Sequence, residues 1–208
     1  MLEVRDLAGE RGLARLFAGI AFRLEPGRVL AVTGANGSGK TTLLRILAGL
    51  SSPAAGEVRF RGAPMAPFDP RLRAAVVFHG HLPALKDELT AVENLAALVA
   101  LAGAQATTTE LAAALDSVAL TGRRMLQARV LSQGQRRRIG LARLAVLKKA
   151  LWILDEPTTA LDADGTALLV TLLTAHLERG GCAVLATHQA LPLPPERTAS
   201  LTVAPRGS

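Results

Sequence analysis

The chain has 208 residues, 24 lysines and arginines against 17 acidic residues, and 50% hydrophobic residues. That length suits one domain with a substantial buried core. The formal charge of +7 invites a nucleic-acid partner, but the arginines are scattered and aromatic residues are only 3% of the chain, so no base-stacking platform accompanies the charge.

The basic balance instead reads as a solvated face, or one lying against an anionic membrane surface. The longest suggestive apolar stretch, Leu95 to Ala104, is well short of the roughly 18–20 residues that span a bilayer. Met1-Leu2-Glu3-Val4-Arg5-Asp6 lacks the charged and apolar regions of a signal peptide, so the chain is expected in the cytoplasm. Its single cysteine, Cys182, offers no disulfide framework and reads as a small buried hydrophobe.

Along the chain, short β-type runs alternate with Ala/Leu-rich helical ones, which predicts an α/β architecture. Val29 to Thr33 reads as a buried strand entering a glycine loop, and Lys40 to Leu50 then has helical spacing. Gly56 to Gly62 alternates as a half-exposed strand does, and Ala74 to Phe78 is another strand candidate. From about Pro83 to Val130 the chain turns helical, over Thr90–Leu101 and Glu110–Val118, with loops at Gly103 and Gly122. This block is expected to be an inserted helical subdomain (83–130) within a single domain spanning 1–208, the core being 1–82 and 131–208. Arg136 to Leu147 is helical, Leu151–Leu154 and Cys182–Ala186 are buried strands, and Leu191 to Pro195 is a bend before a short tail.

The loop reads Gly34-Ala35-Asn36-Gly37-Ser38-Gly39-Lys40-Thr41, followed by Thr42. A glycine loop between strand and helix turns backbone N–H groups inward as an anion site, and the helix adds its positive dipole end. Gly34, Gly37 and Gly39 permit the tight path, Lys40 is expected to reach the β- and γ-phosphates, and Thr41 to ligate Mg²⁺. Asp155 ends a buried strand, where a carboxylate needs a cation; it is the second Mg²⁺ candidate. Glu156 is the candidate general base that polarises the attacking water.

With Leu131-Ser132-Gln133-Gly134-Gln135 the chain resembles the ATP-binding-cassette (ABC) ATPases, whose LSGGQ motif stands at this place; Gln133 replaces the first glycine. The resemblance runs from about Leu2 to Val203. It implies the ABC fold of P-loop NTPases: a mixed core sheet, an antiparallel β-subdomain and the helical insertion. It also implies ATP and Mg²⁺ as ligands, a homodimer in which Ser132, Gly134 and Gln135 meet nucleotide held by the opposite subunit, and a separate membrane permease as partner. Thr159-Ala160-Leu161-Asp162 resembles the D-loop, and His188 matches the switch histidine at the γ-phosphate.

Two departures narrow the resemblance. Family members usually carry a glutamine twelve residues before the Glu of a T-x-x-E-N segment; counting back from Glu93 lands on His81. His79-Gly80-His81-Leu82-Pro83-Ala84-Leu85-Lys86 is similar to the GHQPGIK-type segment of the cytochrome c maturation ATPases, with Leu82 in place of a glutamine. His81 is either the glutamine's substitute or a surface histidine. The adenine-stacking aromatic of the family is also missing: Arg11 falls near its position, and Phe17 reads as core. The resemblance thus implies an ATPase on the cytoplasmic face of the bacterial inner membrane, handling haem or a haem-carrying chaperone with haem-handling maturation proteins. Another cargo, such as a lipoprotein or a small molecule, stays open. With no CxxCH motif and four histidines, the ATPase itself is not expected to bind haem.

Overall fold

A computed structural model describes residues 1–81 and 84–204. Leu82, and Pro83 where the helical block is expected to begin, lie outside them. Nine strands and six α-helices are built from those residues: β1 (Leu2–Arg11), β2 (Ala14–Leu24), β3 (Val29–Thr33), α1 (Lys40–Leu47), β4 (Ala55–Phe60), β5 (Ala63–Pro64), α2 (Pro70–Ala75), β6 (Val76–His79), α3 (Ala91–Leu101), α4 (Thr108–Asp116), α5 (Gln133–Leu147), β7 (Leu151–Asp155), α6 (Ala163–Glu178), β8 (Cys182–Ala186) and β9 (Thr198–Thr202).

The strands form two sheets, an antiparallel one ordered β2-β1-β4-β5 and a five-stranded one ordered β6-β7-β8-β3-β9. The second sheet was expected to be mixed, but its pairings β6–β7, β7–β8, β8–β3 and β3–β9 are all parallel. A parallel sheet is covered on both faces, so its inner strands β7, β8 and β3 are largely apolar. Leu151 and Ile153 of β7 and Cys182 and Val184 of β8 enter one apolar cluster with α1 and the antiparallel sheet. Their alternates, Trp152, Leu154, Ala183 and Leu185, face the other way and share a second cluster with α3, α4, α5 and α6. The period of two along each strand thus divides one sheet between two cores. Cys182 is 2% exposed, and burial raises its thiol pKa, in keeping with an inert hydrophobe.

Helix boundaries follow their caps. Thr90 and Thr107 each close a capping box, with Glu93 and Glu110 reaching back to the cap N–H at 2.8 Å, which satisfies donors the helix leaves orphaned. Buried Asn94 accepts the Lys86 N–H at 2.8 Å and donates to the carbonyls of Lys86, Leu89 and Thr90. The T-x-x-E-N pattern is therefore a local device, two residues capping α3 and a third pinning the loop before it.

The predicted strand over Ala74–Phe78 is shifted, because Asp69 caps a short helix that takes Ala74 and Ala75 first. The predicted tail contains β9, a parallel edge strand, and just past its end the Val203 N–H bonds the Thr33 carbonyl at 2.8 Å. Its sequence, Thr-Ala-Ser-Leu-Thr, carries no hydrophobic alternation strong enough to signal a strand.

Two histidines are buried away from solvent. His176 stacks on Trp152 with ring centroids 3.9 Å apart, its Nε2 3.1 Å from the Cys182 carbonyl. Desolvation is the main cause that lowers its pKa to about 4, and that of His79 to about 3. Both stay neutral in the fold while the unfolded chain takes up protons below its ordinary value of 6.5. Their contribution to stability is therefore complete above pH 6.5 and is lost as pH falls toward 4 and then 3. The melting temperature should drop from pH 7.5 to pH 5, and His176→Phe should flatten that slope whatever its effect at neutral pH. An unchanged slope would contradict the assignment.

Candidate active site

Because all five core strands run parallel, their C-terminal ends emerge along one edge. Val32 pairs with Ala186, Asp155 with Ala186, and His79 with Leu154. The loops that follow β3, β6, β7 and β8 are thereby brought together, as ligand sites of open α/β sheets are. They enclose a cavity of about 400 Å³ whose wall includes Asn36, Gly37, Lys40, Thr41, Thr42, His81, Asp155, Glu156 and His188. Arg11 and Leu16, from the ends of β1 and β2, complete it, together with Thr159.

The glycine loop is built for an anion. Every other α-helix described here is capped by a side chain (Asp69, Thr90, Thr107, Ser132 or Asp162), whereas α1 begins at Gly39, which has none to offer. Its first N–H groups lack intrahelical partners and are left for a ligand. Gly39 has φ 101°, and a Cβ there would stand 2.9 Å from both Leu16 and the buried Phe17 ring. Gly34 has φ 145°, and its Cβ would come 2.4 Å from the Val203 carbonyl. Phe17, expected in the core, is 2% exposed and backs the loop. Arg11, the candidate for stacking on a base, is among the residues that line the cavity.

Lys40 is 8% exposed, and its ammonium donates to the Gly34 and Ala35 carbonyls at 2.9 and 3.1 Å. It is held across the mouth of the loop, with a third N–H to spare. Beneath it the Thr41 hydroxyl donates to Asp155 Oδ2 at 2.9 Å, and Asp155 is 4% exposed. A hydroxyl and a buried carboxylate side by side are hard oxygen donors, which fits Mg²⁺ completed by phosphate oxygens and water. Among the described residues no group of three or more His, Cys, Asp or Glu is placed to hold a metal ion by itself.

Glu156 has φ 48°, a left-handed conformation that costs a non-glycine residue about 1–2 kcal/mol. Its N–H bonds the Ala186 carbonyl at 2.9 Å and its own carbonyl accepts from Arg137 at 2.5 Å. The turn sends its carboxylate to His188, whose Nε2 lies 3.3 Å from Oε1. Around His188 the backbone is tied by Thr187, whose hydroxyl accepts the Gln189 N–H at 3.1 Å. Of the pair around Gly80, only His81 reaches the cavity; His79 is buried against Gly140.

Ser132, Gly134 and Gln135 do not line this cavity. Ser132 caps α5 and closes a capping box with Gln135, leaving an exposed hydroxyl at a positive helix end. Gln133 takes the first helical position with no positive φ, so glycine is not needed there. Gly134 is different: a Cβ would stand 3.1 Å from the Ala160 carbonyl. Asp162 caps α6 through the Gly165 N–H at 2.8 Å and accepts Arg138 at 2.6 Å; these bonds hold its carboxyl below the usual range.

Sequence reasoning missed Arg137, assigning Arg136-Arg137-Arg138 to the helix after Gln135 without setting any one of them apart. The signal was present. Arg137 falls in register with Leu141 and Leu144 on the buried side of α5, where a charge needs a reason.

Comparison with known proteins defines the class. The ABC transporter family model matches residues 17–159, and the chain belongs to that family, as its ATP-binding cassette and an ABC-type ATPase. Among relatives, it is 50% identical to the cytochrome c biogenesis ATP-binding export protein CcmA of Pseudomonas aeruginosa, over 95% of this chain and 98% of that one. With the protein of the same name from Nitrosomonas europaea it shares 48% identity, over 92% and 90%. Among solved structures, an ATP-binding subunit of an ABC transporter superposes with a TM-score of 0.78 at 27% identity, covering 90% of this chain and 79% of that one. No helix among the described residues is long and apolar enough to cross a membrane.

Proposed function

We propose that this ATPase drives a membrane complex of c-type cytochrome biogenesis, with haem or a haem-loaded chaperone as the object handled. The observation that carries this is 50% identity to a protein of that name over nearly the whole of both chains. In this reading Gly34 to Thr42 cradle the phosphates, with Lys40 on the β- and γ-phosphates, and Thr41 and Asp155 hold Mg²⁺, which supplies charge neutralisation at the phosphates. Glu156 accepts the proton of the attacking water, His188 and His81 flank the γ-phosphate, and Arg11 lies on the adenine.

A second copy completes the site. Ser132, Gly134 and Gln135 stand at a helix start outside the chain's own cavity, where the Ser132 hydroxyl, which already accepts the Gln135 N–H, and the Gly134 N–H can meet nucleotide on another subunit. Asp162, tied to Arg138 in the same helix, communicates across that contact. The 208 residues act as one ABC domain, with 83–130 as its helical insertion.

We infer that the membrane subunit docks on a second cleft of about 510 Å³ that includes Leu50, Phe68 and Leu101. Phe68 is 76% exposed and Leu101 74%, and neighbouring exposed apolar side chains mark a docking surface. The protein then sits peripherally on the cytoplasmic face of the inner membrane. A mild-detergent pull-down from its own host's membranes, followed by mass spectrometry and a haem absorbance scan, tests the assignment. A permease together with haem-handling maturation proteins is the expected outcome. A permease without them would keep the ATPase chemistry and remove the haem role.

A further inference from the structure

Lys40 and Arg137 are the only lysine or arginine residues buried among those described, and the reading above gives a role to Lys40 alone. Arg137, 3% exposed, sits one turn into α5. Its Nη1 donates to the His81 carbonyl and its Nη2 to the Glu156 carbonyl at 2.5 Å. Its Nε has no partner among the described residues. Burial lowers its pKa, opposed by the charges of Asp155 and Glu156, yet a guanidinium stays protonated in proteins.

This fork therefore joins three segments that approach the cavity from different parts of the sequence. One is the loop after β6, carrying His81. Another is the left-handed turn after β7, carrying Glu156. The third is α5 itself, which begins at Ser132. A rigid planar fork suits such a task because each arm has its own carbonyl and its own direction.

We propose that Arg137 is a positioning residue for hydrolysis: it locks the Glu156 peptide in the turn that aims the carboxylate into the cavity, and it makes the orientation of that base depend on where α5 stands. When a second subunit's nucleotide engages Ser132, the pull on α5 reaches Glu156 and His81 through this one side chain. The proposal rests on Glu156 being the base, and it goes beyond that reading by naming what holds the base in place.

The test compares wild type, Arg137→Met, Arg137→Lys and Glu156→Gln as full-length proteins, reading melting temperature, Kd for ATP, kcat and KM. Methionine fills similar space but donates nothing, so kcat should fall about a hundredfold, the cost of misplacing a catalytic group by an ångström or so, while Kd stays within about twofold. Lysine reaches one carbonyl at a time, so Arg137→Lys should recover part of kcat. A folded Arg137→Met protein with kcat near wild type overturns the proposal, as does a loss confined to Kd. If Arg137→Met does not fold, Arg137→Lys decides by the same criteria. Turnover persisting in Glu156→Gln would remove the base assignment and Arg137's role with it. An inactive Glu156→Gln beside a fully active Arg137→Met would remove only the latter.

Discussion

Glu156→Gln should lose turnover by about 10²–10⁴-fold, the usual contribution of a general base, while still binding ATP. The amide keeps the shape of the side chain but cannot accept the water's proton at neutral pH. The backbone bonds that fix the turn, to Ala186 and from Arg137, do not involve the carboxylate and should survive. His188, 3.3 Å from the carboxylate oxygen, keeps a neighbouring acceptor in the amide oxygen. The loop and Lys40, to which phosphate binding is assigned in the proposed function, are not touched by the substitution. ATP should therefore accumulate uncleaved between two copies. Size-exclusion chromatography with light scattering should show a dimer with ATP and a monomer without it. Rapid phosphate release by this variant would overturn the assignment of the base.

Lys40→Ala acts at the preceding step and should weaken ATP binding itself. Truncating a buried cation that hydrogen-bonds a charged partner costs about 2–3 kcal/mol, or roughly 30- to 150-fold in Kd. The loss should be larger for ATP than for AMP, since the role proposed for the ammonium is at the distal phosphates. Part of the effect comes from the loop: the Gly34 and Ala35 carbonyls that Lys40 now holds at 2.9 and 3.1 Å would have to be solvated instead. Calorimetric titration with ATP and AMP separates the two contributions. Equal affinity for ATP in both proteins would mean that the loop does not bind phosphate through this residue.

What was legible in the sequence were features with strong local chemistry. Val29–Thr33 and Cys182–Ala186 are apolar runs between turn signals, and their bounds agree with β3 and β8. The glycine loop, Asp155, Glu156 and His188 were named from motif and spacing, and the parallel sheet carries them to one cavity. Less legible was whatever depends on contacts distant in sequence. The edge strand Thr198–Thr202 exists because β3 offers it an unpaired edge. The short helix Pro70–Ala75 wins over strand propensity because Asp69 caps it at 2.8 Å. Of the two histidines around Gly80, His81 was singled out by its spacing from Glu93 and is the one that lines the cavity; the burial of His79, whose ring packs against Gly140, was not legible. Arg137 was hidden among three arginines until the burial of one helix face set it apart.

One measurement reaches the whole account: replacing Glu156 by Gln at the chromosomal locus of the host and comparing covalently bound with non-covalent haem in its membranes. Haem-stained denaturing gels should lose their c-type bands, while b-type absorbance and the amount of the variant protein stay normal. Undiminished c-type bands in cells that contain the variant at its normal level would contradict the account.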